Sequence, residues 1–310
     1  MGYKNLFELL KSIFRFEDFE HPQKAFELAL RSLATIHLSL GIDDLDDLIP
    51  YLPYGLKQKL QDVIADNKTE FKRIIKDYAL NPSLNRIRLM QRESQRILKN
   101  KSRKVLAAYF TSDLGVKLMA AFVRQYQRHF SNDKLIIADP FMGSGVTLTE
   151  TSLPLMKHIQ AVWGIELQPL LGLVGFTALL YIFRDEPDKV RVFIGDSFDF
   201  LSNAFFLIEN SFITKTNVVV TNPPFTRWEN IDKAKREKII KIIRNLGYKK
   251  YITRKQTSLH ILSLCLVDRI LPEKSLLITV LPASTFYTIY GAVSYTHLRA
   301  HETEADLVCR

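Results

Sequence analysis

The sequence predicts an α/β protein in which a doubly wound parallel sheet follows an α-helical N-terminal region. Three observations predict it. Apolar residues recur at three- and four-residue spacing through roughly the first hundred positions. From residue 105 onward, short apolar runs alternate with helical segments. A glycine-rich turn and several acidic residues stand directly after those runs, where ligands bind on sheets of this kind.

The helical region, 1–104, carries amphipathic runs over Leu6–Phe16, Ala25–Leu40 and Leu56–Ile64. Pro22, Gly41, Pro50, Pro53 and Pro82 punctuate them. Ser83–Lys104 holds Arg86, Arg88, Arg92, Arg96, Lys99, Lys101, Arg103 and Lys104. Such a run reads as a solvated helix face or linker, or more sharply as a basic strip against phosphates. Asp62, Asp66 and Glu70-Phe71-Lys72 share one helical face with no flanking strand, which argues against a metal-dependent nuclease site.

The second region predicts strands at Leu135–Ala138, Ala161–Ile165, Arg191–Ile194, Val218–Thr221 and Leu276–Leu281. Helices are expected over Thr147–His158, Pro169–Phe183, Lys233–Asn245 and Ser258–Leu271. Asp139, Glu166, Asp196 and Asn222 each follow a strand closely, which places them on one rim.

Composition bounds the function. Of 310 residues, 47% are hydrophobic, enough for a sizeable core. The formal net charge of +10 favours a polyanionic partner such as nucleic acid. The most apolar stretch, Leu170–Phe183, is too short to span a bilayer and reads as a buried helix. Cys265 and Cys309 offer neither metal spacing nor a disulfide framework. A cytoplasmic protein with no membrane partner and no metal is expected.

Four motifs carry chemistry. In Asp139-Pro140-Phe141-Met142-Gly143-Ser144-Gly145, the glycines permit a tight turn and close approach of backbone to a ligand. This turn has neither the Lys-Ser/Thr ending of a phosphate loop nor dinucleotide-fold spacing. Glu166, about 20 residues on, suits both ribose hydroxyls of a nucleoside. Asp196-Ser197 can accept from an adenine amino group, although either acid can also cap the next helix. The fourth, Thr221-Asn222-Pro223-Pro224-Phe225, is the most informative. Two prolines fix the backbone and remove two donors. The Asn222 side-chain oxygen and the Pro223 carbonyl then accept from an exocyclic amine while Phe225 stacks on its ring. Accepting both amine protons frees the nitrogen lone pair for attack. As a purely structural segment, the same tetrapeptide is a rigid strand-to-loop turn.

Over roughly residues 106–291 the chain resembles the S-adenosylmethionine-dependent amino methyltransferases, and within them the DNA adenine methyltransferases. That family's glycine motif matches Asp139–Gly145, including Pro140 and Phe141, and its ribose acid matches Glu166. Its adenine-contacting acid matches Asp196, and its [DNS]-P-P-[YFW] motif matches Asn222–Phe225. Tyr109-Phe110-Thr111 resembles the segment that closes over the methionine moiety, with Ser112 where the family has proline. The motif order is similar to the gamma arrangement, in which a recognition domain follows at the C-terminus. The resemblance implies a Rossmann-like methyltransferase sheet and S-adenosylmethionine as cofactor. It also implies DNA, or alternatively RNA, as partner, with a restriction or specificity subunit alongside. The implied activity is methyl transfer to the adenine amino group after base flipping, in a restriction-modification system. Arg227 and Trp228 are candidates to line the substrate channel. Rival readings are an RNA or protein-glutamine amino methyltransferase, and a non-catalytic nucleic-acid-binding subunit.

The catalytic domain is expected over 105–293. From Ser294 to Arg310 the sequence instead resembles a translated sequencing adapter, so a non-native tail is expected there, and a longer natural chain with its own recognition domain.

Overall fold

In the computed structural model the described residues are 3–42, 44, 46–78, 80–100, 102, 113–127, 134–226, 228–249, 258–282 and 285. The helical region forms α1 (Tyr3–Phe14), α2 (Pro22–Leu40), α3 (Lys57–Tyr78) and α4 (Leu84–Arg96). Local chemistry sets their ends. Pro22 opens α2, where its missing N–H costs nothing. Gly41 closes it in the left-handed conformation at φ 62°. Ser83 caps α4 by accepting from the Arg86 N–H.

After α5 (Asp113–Gln127), strands and helices alternate: β1 (Leu135–Asp139), α6 (Val146–Ser152), β2 (Ile159–Glu166), α7 (Pro169–Ile182) and β3 (Val190–Ile194). There follow α8 (Ser197–Ser202), α9 (Ala204–Glu209), β4 (Val218–Thr221), α10 (Lys233–Asn245), α11 (Leu259–Ile270) and β5 (Leu276–Thr279). The five strands run in the order β3-β2-β1-β4-β5, and every pairing is parallel. This is a Rossmann-like α/β fold preceded by a helical region. The strand order reverses between β1 and β4, the switch point at which such sheets bind ligands.

Strand residues alternate between two cores. Leu135 and Ile137, Val190 and Val192, and Val218 and Val220 face one core, built with α1–α7. Ile136 and Ala138, Phe193, and Val219 face the other, built with α8–α11. The helical region thus shares a core with the sheet instead of standing apart from it. Among the described residues no helix is long and apolar enough to cross a membrane; α7 is an almost wholly buried helix.

Three expectations change. The helix expected over Thr147–His158 ends at Ser152, and a 3-10 turn with Pro154 near its start carries the chain to His158. The helix expected over Leu56–Ile64 runs on to Tyr78 with a break at Asn67, whose side-chain amide donates to the Val63 carbonyl at 2.9 Å. Over its described residues 83–100, the basic segment is a packed helix and its end, not a linker. Its helix α4 buries Ile87, Met90, Gln91 and Ser94, and Arg88 makes two bonds to Glu150 of α6 at 2.6 and 2.7 Å. Arg86, Arg92 and Arg96 remain on its exposed side.

Candidate active site

The loops after β1, β2, β3 and β4 meet on one rim. In the first, Gly143 and Gly145 both have positive φ, 56° and 74°. A side chain at Gly145 would stand 2.9 Å from the Gly175 Cα of α7, so the turn needs glycine there to pack on that helix.

Asp139 ends β1 and is 2% exposed. Its Oδ1 accepts from the Phe141 N–H at 3.0 Å and from the Thr221 hydroxyl at 2.7 Å. Burial pushes its carboxyl up to about 7, against the pull of these two donors, and the neighbouring Glu166 charge adds to the rise. Asp139 therefore faces inward and holds the first loop to the fourth strand.

Glu166 ends β2. Its Oε2 accepts from the Gly143 N–H at 2.9 Å and its Oε1 from the Gln168 N–H at 2.8 Å. Burial raises this carboxyl too, to about 7, with backbone donors and Arg15 pulling the other way. With the Leu167 N–H as a further backbone donor, the carboxylate still keeps lone-pair capacity for a hydroxyl donor.

Beyond β3, Asp196 caps α8 by accepting from the Phe198 N–H at 3.0 Å, and its other oxygen pairs with Lys235 of α10 at 3.1 Å. The Ser197 hydroxyl donates to the Pro140 carbonyl, tying the third loop to the first. Phe141 and Phe198 face each other across these loops with ring centroids 6.5 Å apart.

Asn222-Pro223-Pro224-Phe225 leaves β4 without regular secondary structure, with Pro223 buried and Asn222 and Phe225 half-buried. The His260 ring of α11 meets Phe225 edge-on at 5.8 Å and 69°. Its Nε2 lies 2.9 Å from the Thr285 hydroxyl and its Nδ1 3.0 Å from the Ser258 hydroxyl. Burial pushes the imidazole down to about 4, so it is neutral at physiological pH. Sequence reading missed His260, Gln168 and Lys235, which sit in no motif and reach the rim through folding; Thr221 opens the fourth motif, but its bond to Asp139 was not foreseen. Tyr109, Phe110, Thr111 and Arg227 lie outside the described residues, as does the segment from 286 to 310.

What the rim can do chemically follows from its donors and acceptors. Two carboxylates with spare lone pairs and an aromatic pair suit a cationic nucleoside, and an amide beside a half-buried aromatic ring suits a planar amine.

Solved structures share the fold. A Listeria monocytogenes protein assigned to the class I S-adenosylmethionine-dependent methyltransferases is similar at 15% identity and a TM-score of 0.53, covering 89% of this chain and 79% of that one. The type IIG restriction endonuclease BpuSI gives 15% and 0.58 over 95% of this chain and 35% of its own. The methyltransferase subunit of a type I restriction-modification system from Streptococcus thermophilus gives 13% and 0.52, over 97% and 79%. No protein-family model and no curated protein matches the sequence.

Proposed function

We propose that the chain is an S-adenosylmethionine-dependent methyltransferase that modifies the exocyclic amino group of adenine in DNA, within a restriction-modification system. The observation that carries this reading is the junction at the switch point: the glycine turn after β1 and the Asn-Pro-Pro-Phe loop after β4 are joined through Thr221 and Asp139. A cofactor loop and an amine-binding loop are thereby set side by side. The likeness to proteins described as methyltransferases and restriction enzymes supports it. We assign 105–293 to the catalytic domain and 1–104 to a helical region built onto it.

The residues fit the cofactor. Glu166 takes the ribose hydroxyls on its remaining lone pairs, and Asp196 with Ser197 borders the adenine. Gly143 and Gly145 let backbone approach the methionine portion, and Tyr109, Phe110 and Thr111 close over it. When bound, S-adenosylmethionine supplies an electrophilic methyl group on a sulfonium. Asn222 and the Pro223 carbonyl accept from the target amine, Pro224 keeps the loop rigid, and Phe225 stacks on the extruded base. Positioning and fixed dipoles supply the rate.

Incubation with methyl-labelled S-adenosylmethionine and separate DNA, RNA and protein acceptors tests the assignment. Label recovered as 6-methyladenine from DNA is expected. Label confined to RNA or to protein glutamine would replace the DNA reading with the corresponding rival.

A further inference from the structure

The first two loops of the rim, and the strand that leads into the third, are each hydrogen-bonded to a different segment of the N-terminal region. In the first, the side-chain amide of Gln91 in α4 donates to the Ser144 carbonyl at 2.9 Å and to the Thr149 hydroxyl at 3.2 Å. One turn on, Gln95 donates to the Ser144 hydroxyl at 2.8 Å. Ser144 stands between the two left-handed glycines and is fully buried. In the second, Gln168 donates to the Phe14 carbonyl at the end of α1 at 2.9 Å, while its own N–H holds Glu166. Before the third, Tyr54 exchanges backbone hydrogen bonds with Val192 and Ile194 of β3 at 3.0 and 2.8 Å, ending two residues before Asp196.

We propose that the N-terminal helical region is the frame that sets the cofactor loops, with Gln91 the positioning residue of the glycine turn. This rests on the reading of the rim as an S-adenosylmethionine site. Gln91 is 1% exposed, and its Oε1 is buried with no hydrogen-bond partner among the described residues. A leucine of similar volume would fill the space without that desolvated oxygen. The amide's contribution lies in its N–H groups, and both go to the turn and the first residues after it. They fix the Ser144 carbonyl, whose peptide plane also carries the Gly145 N–H that donates to the Met142 carbonyl at 2.8 Å. A turn in which two glycines permit many conformations needs such an external restraint to present one of them. The frame makes the cofactor site a product of both halves of the chain.

Calorimetric titration with S-adenosylhomocysteine, alongside thermal denaturation, tests this on three proteins. The wild type binds. Gln91→Leu raises Kd by about 10-fold, the loss of roughly one hydrogen bond's net contribution, with little change in Tm. Arg88→Leu, which removes the ion pair of the same helix with Glu150 but touches no atom of the turn, lowers Tm and leaves Kd within about twofold. Gln95→Leu serves if Gln91→Leu does not fold, and raises Kd about threefold. Wild-type affinity in the foldable Gln variant overturns the proposal, as does an equal loss of affinity in Arg88→Leu, which would make the effect one of helix docking. Absence of binding by the wild type instead overturns the cofactor reading beneath it.

Discussion

The Thr221 hydroxyl donates to the Asp139 carboxylate at 2.7 Å, joining the ends of the adjacent strands β4 and β1. Both side chains are buried. Through this one bond the geometry of the glycine turn and that of the Asn-Pro-Pro-Phe loop are set together. Thr221→Val keeps the β-branched shape and removes the donor. At pH 8, where Asp139 is mostly ionised, it should cost about 1.5–3 kcal/mol of stability, the range for a hydrogen bond to a charged group. Denaturant unfolding of the two proteins measures it, and equal midpoints would show that the bond contributes nothing.

Acidity bears on the same rim. Asp139 and Glu166 are both raised to about 7 from ordinary values of 3.8 and 4.5. A carboxyl with a raised folded-state pKa adds stability at acid pH and loses it as pH rises through the interval between the two values. These groups should therefore make the ligand-free protein less stable at pH 8 than at pH 5. Affinity for S-adenosylhomocysteine should run the other way, rising as Glu166 ionises and can accept from ribose. Tm and Kd measured across pH 5–8, with Glu166→Gln flattening the affinity trend and leaving only the Asp139 share of the stability trend, check the pair of signs.

Asp196→Asn retains a side-chain oxygen that can cap α8, so the fold should persist. It loses one carboxylate acceptor and its pairing with Lys235. Binding of S-adenosylhomocysteine should weaken about 10-fold. Lys235→Gln, which removes only a partly exposed ion pair, should change it by less than about threefold. Titration of both variants separates a ligand contact from a surface charge.

Asn222→Ala should lower methyl transfer by about 10²–10³, the cost of losing one preorganised polar contact at the reacting group. Affinity for S-adenosylhomocysteine should hold. Single-turnover transfer measured beside equilibrium binding distinguishes this from general damage to the rim.

The fold was legible because its signals are local. Periodic apolar residues give the helices, and the short runs from Leu135 to Leu276 give the strands with ends within about two residues, since each is bounded by turn chemistry. The position of the rim was legible for the same reason: Asp139 and Glu166 end their strands, and Asp196 and Asn222 stand within two residues of theirs. What supports the rim was not. Gln91 lies 53 residues from Ser144, Gln168 lies 154 from Phe14, and His260 faces Phe225 across a loop, so no spacing in the chain announces them. The basic segment was half legible: Arg86, Arg92 and Arg96 do form a solvated face, but the buried stripe and Gln91 on the opposite side, which decide where α4 packs, were not foreseen.

Everything proposed for the chain rests on S-adenosylmethionine lying across the loops after β1, β2 and β3. Calorimetric titration of the wild type and Glu166→Ala with S-adenosylhomocysteine at pH 8, where Glu166 is ionised, measures this most directly. Saturable one-to-one binding by the wild type, weakened at least about 10-fold by Glu166→Ala, is the predicted result. No binding by a folded wild type, or binding indifferent to Glu166, would contradict the account.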